Sequence, residues 1–215
     1  RDVARKFSDE KLFPRAGEFD HNAKLDRDVI KEMAELGLMG VKVPEAYGGA
    51  GVDFRYDAII AEELAYLRAH GIMTTVHASI CLPYLVTFGT AAQKQKYIPP
   101  AVRGDLLLGI GMTEPGAGSD LANIQTKAIR DGDHYVVNGA KTFISIGQLG
   151  GLYIVAVKTD PSARPAHRGV SLLLIEADTP GFVRGRKLEK LGFPAQDTSE
   201  LFFEDCRVPV ENLLG

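Results

Sequence analysis

The chain has 215 residues, of which 45% are hydrophobic and 25% are charged, a composition typical of a folded globular protein with a substantial core. Its formal net charge is −3 and its basic residues are scattered, so we expect no nucleic-acid partner. No apolar run approaches membrane-spanning length, so we also expect no membrane span.

The two cysteines and the chain ends each support an expectation. Cys81 and Cys206 stand far apart without CxxC or metal-ligand spacing, so they are expected to be reduced structural thiols. The chain begins inside a helix-like pattern without Met and stops at Gly215, directly after a strand and loop. This pattern indicates a piece of something longer.

Residues 1–103 are predicted to form an N-terminal α-helical bundle. Apolar side chains recur at helical spacing in two stripes, separated by a Gly-rich loop over residues 44–51. The stripes are Leu25, Val29, Ile30, Met33 and Leu36, followed by Tyr56, Ile59, Ile60, Leu64 and Leu67. The second helix is predicted to close at Arg68, His70 and Gly71.

Two further helical segments follow the second stripe. The apolar segment over residues 74–88 contains Pro83, which is expected to kink or divide it. Thr90 and Gln93 have the three-residue spacing of a capping box and predict the start of a short helix. This helix is expected to end before Pro99.

Residues 104–215 are predicted to form a small antiparallel β-barrel or sandwich, because helix-period segments are absent there. Asp131-Gly132 and Asn138-Gly139 are both hairpin signals. The predicted strands are residues 106–111, 135–137, 142–144, 153–157, 170–175 and 201–203. The fold class is therefore α+β, with the helical domain preceding the β-domain.

Most common kinds of site find no support in the sequence. The histidines never pair with acidic or sulfur residues at metal-ligand spacing, so no metal site is predicted. Glu62-Glu63 indicates a solvated helix face, because adjacent helical residues point in different directions. Gly109-Ile110-Gly111 begins like a dinucleotide fingerprint, but Glu114 stands where the third glycine belongs. A Rossmann site is therefore not expected.

The most informative segment is the loop over residues 112–120, which reads MTEPGAGSD. It follows a predicted buried strand and carries hydroxyls at Thr113 and Ser119. Its glycines allow a ligand to approach the backbone closely. A bare Pro-Gly-Ala-Gly would indicate only a tight turn. A longer polar loop at a strand end suits a large, flat, hydrogen-bonding cofactor.

Together with three further motifs, this loop closely resembles the acyl-CoA dehydrogenase family of flavoproteins. The motifs are residues 43–49 (VPEAYGG), 138–145 (NGAKTFIS) and 192–198 leading to 203–205. The resemblance covers essentially the whole chain as the N-terminal helical and middle β-domains. Long-chain-type members and bacterial fatty-acid-degradation members are the most similar. The resemblance implies that the family's C-terminal helical domain is missing from this sequence.

The resemblance also implies a set of FAD-binding residues. They are Ile110, Gly111, Met112, Thr113, Gly118, Ser119, Phe143, Ile144 and Ser145. Met112 and Thr113 would hydrogen-bond the pyrimidine side of the flavin, and Ser119 would also touch the acyl-CoA substrate. Many members carry Trp in place of Phe143 and Thr in place of Ser145. Because Phe has no indole N–H, ring packing and redox tuning are expected to differ here.

The implied reaction is α,β-dehydrogenation of a fatty acyl-CoA to a trans-2-enoyl-CoA, with electrons passed to an electron-transfer flavoprotein. Family members carry the proton-abstracting glutamate in the C-terminal domain, so no residue of this chain, Glu114 included, is predicted to be catalytic. The chain alone should therefore turn over weakly or not at all. An acyl-CoA oxidase, another flavoenzyme on this scaffold and a non-catalytic binding protein remain alternatives.

The resemblance further implies an assembly and a compartment. The full-length protein would form a homodimer or homotetramer. It would be cytoplasmic in a bacterium, or located in the mitochondrial matrix in a eukaryote.

Overall fold

A computed structural model describes residues 1–66 and 74–215, which divide into two compact units. The helical unit consists of Arg1–Leu107 and Glu189–Asp197, and the sheet unit of Leu108–Leu188 and Thr198–Gly215. This arrangement confirms the α+β class, whereas the domain boundary at residues 103 and 104 stays a prediction. Within the described residues, every helix is too short or too polar to cross a membrane.

The helical unit contains short helices whose buried faces follow the predicted apolar spacing only in part. Leu36 of the first stripe and Tyr56 of the second are exposed, and Glu63, predicted on a solvated face, is buried in the fourth helix. Val29, Ile30 and Met33 are buried along one face of the third helix, as the first stripe predicts. The predicted closure at Leu67, Arg68, His70 and Gly71 lies outside the described residues. The described α-helices are α1 (Asp2–Phe7), α2 (Ala16–His21), α3 (Arg27–Glu35), α4 (Phe54–Tyr66), α5 (Leu82–Phe88) and α6 (Ala91–Val102).

Pro83 divides the third apolar segment, as predicted. A π-helical turn, Val76–Cys81, runs directly into α5, and Pro83 lies in the first turn of α5, where no amide hydrogen is needed. His77 is buried in the π-helical turn, and its Nε2 lies 3.2 Å from the carbonyl oxygen of Ala101. Burial lowers the pKa of His77 to about 4.

The capping box at the start of α6 is confirmed, but its predicted end is wrong. Thr90 and Gln93 exchange hydrogen bonds of 2.9 and 3.2 Å between side chain and backbone. The helix then continues through Pro99 and Pro100 to Val102. Each proline removes one backbone N–H, so only the bonds from these two positions near the end of the helix are lost. The carbonyls of Pro99 and Pro100 still accept from the backbone N–H groups of Arg103 and Asp105 and close the last turn.

Both cysteines are buried free thiols, as expected from the sequence. Burial raises the pKa of Cys81 to about 12 and that of Cys206 to about 11. Both thiols are therefore protonated and inert at neutral pH.

The sheet unit contains one mixed sheet of eight strands in the order β6-β7-β3-β2-β4-β5-β8, with β1 paired to β4. The strands are β1 (Leu108–Gly111), β2 (Lys127–Asp131), β3 (His134–Ser145), β4 (Leu152–Lys158), β5 (Val170–Glu176), β6 (Phe182–Lys187), β7 (Thr198–Pro209) and β8 (Leu213–Leu214). Between the described strands, this path does not close on itself, so the predicted barrel or sandwich is not confirmed. The sheet is also not fully antiparallel, because β1 and a single pair in β2 run parallel to β4.

One of the two predicted hairpin turns is wrong. Asp131-Gly132 joins β2 to β3, as predicted, with Gly132 at φ +62°. Asn138-Gly139 instead lies inside β3, where the pairing with β7 shifts register. A Cβ on Gly139 would come within 2.6 Å of the Thr126 hydroxyl, so this glycine permits close packing within the sheet.

Strand β4 is buried on both faces and separates two apolar clusters. Val155 and Val157 belong to the main core of the sheet unit. Ala156, which points to the opposite face, packs with Ala117 and Ile124. The residues after β1 therefore pack against the back of the sheet, so the rigid strand β4 supports the loop described next.

Candidate functional site

The loop over residues 112–120 leaves the end of β1 and folds back in a tight turn. Glu114 and Ala117 exchange backbone hydrogen bonds of 2.9 and 3.2 Å across Pro115 and Gly116. Met112 and Ala117 anchor the loop in the small cluster on Ala156 of β4. Gly118 and Ser119 follow at the surface, and both are exposed. The loop is thus fixed at its base and open at its tip.

Strand β3 holds the base of the loop through two adjacent residues. The Lys141 ammonium donates to the carbonyl of Met112 at 3.1 Å. The backbone N–H of Thr142 donates to the carbonyl of Thr113 at 2.9 Å. The next residue along β3 is Phe143, which starts the second predicted cofactor segment. The structure therefore brings the two predicted segments together.

A buried ion pair completes this junction. The Lys141 ammonium lies 2.7 Å from the Glu114 carboxylate, and the two residues are 0% and 6% exposed. The carboxylate also accepts from the backbone N–H groups of Gln125 at 2.6 Å and Thr126 at 3.0 Å. Every carboxylate oxygen of Glu114 is therefore hydrogen-bonded, as a buried charge requires.

The two charges have shifted pKa values with identifiable causes. Burial acts to raise the pKa of Glu114, but hydrogen bonds from Lys141, Thr126 and Gln125 outweigh it and hold this pKa below its ordinary value. Burial lowers the pKa of Lys141, and its hydrogen bond to Glu114 opposes that shift. Glu114 consequently remains ionised and bonded at neutral pH.

Phe143 has an unusual backbone and an unusual position. Its φ is +58°, a left-handed conformation that bulky residues rarely adopt, and it lies where the pairing of β3 with β7 shifts register. The residue is 66% exposed. The bulge therefore turns an aromatic side chain outward from the sheet, beside the base of the loop.

The other predicted site residues differ in how much they present to a ligand. Ile110 is half-buried in β1, and a Cβ on the buried Gly111 would contact Lys141 at 3.4 Å. The side chain of Ile144 lies in the main core, so only its backbone could contact a ligand. Ser145 is half-buried and is paired with Thr198 of β7. Their roles in binding stay predictions.

Three residues of this site were not assigned from the sequence: Glu114, Lys141 and Thr198. Glu114 and Lys141 are opposite charges in two matched motifs, a signal that could have suggested the pair. They are 27 residues apart, however, and their sequence spacing contains no information on contact. The Thr198 hydroxyl is buried without a hydrogen-bond partner in the described part of the chain, opposite Ser145. No sequence pattern distinguishes it from other strand threonines.

Comparison with protein families identifies two matching domain models. The acyl-CoA dehydrogenase N-terminal domain matches residues 1–105, and the acyl-CoA dehydrogenase middle domain matches residues 109–206. The boundary between the two matches falls at the start of β1, the strand that precedes the loop described above.

Known proteins of similar sequence or structure come from mammals and bacteria. The mitochondrial long-chain specific acyl-CoA dehydrogenase of Mus musculus is 42% identical over 215 residues, which are 100% of this chain and 50% of the relative. The acyl-CoA dehydrogenase structure from Geobacillus kaustophilus has a TM-score of 0.95 and 50% identity, covering 98% of this chain and 56% of that one.

A third relative was solved with its cofactor. The acyl-CoA dehydrogenase of Bacillus anthracis complexed with FAD has a TM-score of 0.88 and 33% identity, covering 99% of this chain and 36% of that one. The present chain spans about half the length of the curated relatives it matches.

Proposed function

The chain belongs to the acyl-CoA dehydrogenase family, and we propose that it supplies the flavin- and thioester-binding part of an FAD-dependent acyl-CoA dehydrogenase. One observation carries the proposal. Lys141 and Thr142 bond to the carbonyls of Met112 and Thr113, which joins the loop and the Phe143 segment into one surface. Both segments were assigned to flavin binding from the sequence alone.

The residues at this surface fit a large, flat, polar cofactor. A Cβ on Gly116 or Gly118 would meet nothing within 4 Å, and neither glycine has a positive φ. Nothing within the described chain therefore requires glycine at these two positions, whereas a ligand approaching the backbone would. The outward ring of Phe143 offers a stacking surface, and the unsatisfied Thr198 hydroxyl offers a hydrogen bond.

The residues proposed to hold FAD are those of the loop and of the Phe143 segment. When bound, FAD would accept the hydride that leaves the β-carbon of the acyl thioester. Thr113 and Ser145 offer hydroxyl and backbone donors, which stabilise negative charge where it develops on the cofactor. Ser119, exposed at the loop tip, is proposed to contact the acyl-CoA. The ion pair beneath the loop keeps these donors in place.

Proton abstraction is not assigned to Glu114. A general base needs a free oxygen facing the substrate, and both carboxylate oxygens of Glu114 are occupied by Lys141 and two backbone donors. The hydrogen bonds also hold its pKa below the range of an effective base at neutral pH. We therefore assign removal of the α-proton to a carboxylate of the family's C-terminal helical domain.

The substrate class, the electron acceptor, the assembly and the compartment are proposed from the family and its relatives. A fatty acyl-CoA of the long-chain class is the proposed substrate, because the mouse relative is long-chain specific. An electron-transfer flavoprotein is the proposed acceptor, and the full-length protein is proposed to be a homodimer or homotetramer. It would be located in the bacterial cytoplasm or in the mitochondrial matrix.

Flavin colour tests the proposal. The purified chain is incubated with FAD, separated from free cofactor by gel filtration and examined for the visible flavin band. The full-length protein is then titrated anaerobically with butyryl-, octanoyl- and palmitoyl-CoA. We expect flavin retention, and bleaching of the full-length protein that is strongest with palmitoyl-CoA. The isolated chain should show weak or no turnover.

Two results would contradict the proposal. A full-length protein that stays colourless after incubation with FAD would exclude a flavoenzyme. Prompt peroxide formation in air without another electron acceptor would instead indicate an oxidase. Ser119→Ala should weaken substrate-induced bleaching, whereas Thr179→Ala, in the turn before β6 of the same unit, serves as the control.

A further inference from the structure

Lys141 donates to a backbone carbonyl of the loop as well as to Glu114. The acceptor is the carbonyl of Met112, 3.1 Å from the ammonium. This carbonyl belongs to the trans peptide group that joins Met112 to Thr113. In a trans peptide the C=O and N–H bonds point in opposite directions. Lys141 therefore fixes the direction of the Thr113 N–H, which points away from the ammonium.

The Thr113 N–H is available to a ligand. The next peptide group along the loop is bonded at both ends: the Thr113 carbonyl accepts from the backbone N–H of Thr142 at 2.9 Å. The N–H of that group belongs to Glu114 and donates to the Ala117 carbonyl at 2.9 Å. The Thr113 N–H, by contrast, donates to no acceptor among the residues that the structure describes. Because Thr113 is half-buried, a partner for this donor is expected.

Burial strengthens the action of the Lys141 charge on this peptide group. Lys141 is fully buried, and its stem runs beside Gly111, where a Cβ would lie 3.4 Å from Cγ of the lysine. A charge shielded from water polarises the groups it bonds to more strongly, and hydrogen bonds in series reinforce one another. The ammonium draws electron density toward the Met112 carbonyl, so the Thr113 N–H becomes a stronger donor.

Stability alone does not explain why charged residues occupy this position. Lys141 and Glu114 are both buried. Replacing a buried ion pair with apolar residues of similar volume often leaves a protein equally stable or makes it more stable. The charges are better explained by what they do to the loop, and the bond from the ammonium to Met112 provides such an action.

We propose that Lys141 is a positioning residue for the cofactor, which directs and polarises the Thr113 N–H as a donor to the pyrimidine side of the flavin. Negative charge develops on the flavin when FAD accepts a hydride, so a stronger donor stabilises reduced FAD more than oxidised FAD. Lys141 thereby raises the reduction potential of the bound FAD. This inference rests on the proposed function, which brings the flavin to the loop.

The reduction potential of the bound FAD tests the proposal. It is measured by anaerobic redox titration of the full-length protein, with the flavin absorption band read against a reference dye. In Lys141→Met we expect the affinity for reduced FAD to fall roughly tenfold relative to that for oxidised FAD, which lowers the two-electron potential by about 30 mV. An unchanged or higher potential would overturn the proposal.

Glu114→Gln distinguishes the action of the charge from a merely structural role. Lys141→Met and Glu114→Gln break the same ion pair, so a structural role predicts potentials that shift in the same direction. Lys141→Met leaves a negative charge beneath the loop, whereas Glu114→Gln leaves the lysine bonded to Met112. We expect the potential of Glu114→Gln to be unchanged or higher. Similar decreases in both variants would contradict the proposal.

The double variant K141M/E114Q repeats the test if Lys141→Met does not fold. It contains no unpaired charge at this position, yet it still lacks the bond to the Met112 carbonyl. We expect its potential to fall as well, by less than in Lys141→Met, because no net negative charge remains. A potential equal to that of the unmodified protein would exclude the role proposed for Lys141.

Val208→Ala is the control for loss of stability. Val208 is buried in the main core of the sheet unit, on β7, and pairs with Tyr135 near the start of β3. Its truncation should lower stability without shifting the potential of the bound FAD. A shift as large as that of Lys141→Met would mean that general destabilisation sets the potential, and the proposal would be wrong.

Flavin uptake by the unmodified full-length protein separates this inference from the proposed function. If that protein takes up FAD and bleaches with acyl-CoA, but the Lys141 variants have its potential, only this inference fails. If it never takes up FAD, the proposed function fails and this inference fails with it.

Discussion

The Lys141 ammonium lies 2.7 Å from the Glu114 carboxylate, and this buried pair joins strand β3 to the loop that follows β1. The same ammonium bonds to the carbonyl of Met112 at 3.1 Å. A single charged side chain therefore fixes both the conformation of the loop and its attachment to the sheet. Its removal should affect folding and cofactor binding together.

Lys141→Met is expected to lower the free energy of unfolding by about 3–5 kcal/mol, because it leaves the buried Glu114 carboxylate without its counter-charge. The double variant K141M/E114Q should recover part of this loss, since no unpaired charge then remains. Urea unfolding at neutral pH measures both values. The exposed pair of Arg207 and Asp131, at 3.2 Å, provides a control. Arg207→Met should leave stability nearly unchanged, and an equal loss there would contradict the interpretation.

Phe143→Gly should separate cofactor binding from stability. Phe143 is exposed and left-handed, with φ +58°, so glycine relieves a strain of roughly 1 kcal/mol while removing little buried surface. We expect unchanged or slightly higher stability and roughly tenfold weaker FAD binding. Ile129, exposed to a similar extent on β2, is the control. FAD titration of Ile129→Ala should match the unmodified chain, and a similar loss in both variants would argue against stacking on Phe143.

Thr198→Val tests the unsatisfied hydroxyl opposite Ser145. Valine has nearly the same shape and removes a buried polar atom without a partner, so stability without FAD should rise by up to about 1 kcal/mol. If the hydroxyl bonds to the cofactor, FAD binding should weaken roughly fivefold. Thermal unfolding and FAD titration measure the two effects. Thr179→Val, in the turn before β6, should change neither. Unaltered FAD affinity in Thr198→Val would remove this hydroxyl from the site.

His77 should make the stability of the chain depend on pH. Its pKa is about 4 in the folded chain, against an ordinary value of 6.5, so the unfolded chain binds the extra proton first as pH falls. The contribution of His77 to the free energy of unfolding is therefore fully present above pH 6.5. Between pH 6.5 and pH 4 it decreases, by up to roughly 1.4 kcal/mol per pH unit. Urea unfolding at stepped pH should show this slope reduced in His77→Gln and kept in His21→Gln, an exposed control. An unchanged slope in His77→Gln would contradict the assignment.

Local sequence signals predicted several elements correctly because each acts over a few residues. The Thr90–Gln93 capping box, the division at Pro83 and the turn at Asp131-Gly132 all depend on neighbouring backbone geometry. The same is true of β4 and β5, whose continuous apolar runs predict buried strands. The loop over residues 112–120 was likewise found from its own residues.

Contacts between residues distant in sequence decided the strand pairing and the path of the sheet, which local signals could not predict. Asn138-Gly139 has the composition of a turn, yet it remains in β3 because Thr126 packs against Gly139 and β7 pairs alongside. The parallel pairing of β1 with β4 depends on where the loop after β1 packs, and the open path of the sheet depends on every strand pair together. The sequence of a single strand does not show which other strand it pairs with, or in which direction.

The sequence by itself thus determined the α+β class. The two segments assigned to flavin binding, and the expectation that no residue of this chain is catalytic, came from the family resemblance and stay predictions. Only the tertiary structure placed Lys141 beneath the loop and bonded both oxygens of Glu114, which removes Glu114 as a base. It also left the Thr198 hydroxyl without a hydrogen-bond partner among the residues that the structure describes. The physical reason is that burial and hydrogen bonding, which decide the state of a charged or polar group, depend on neighbours distant in sequence.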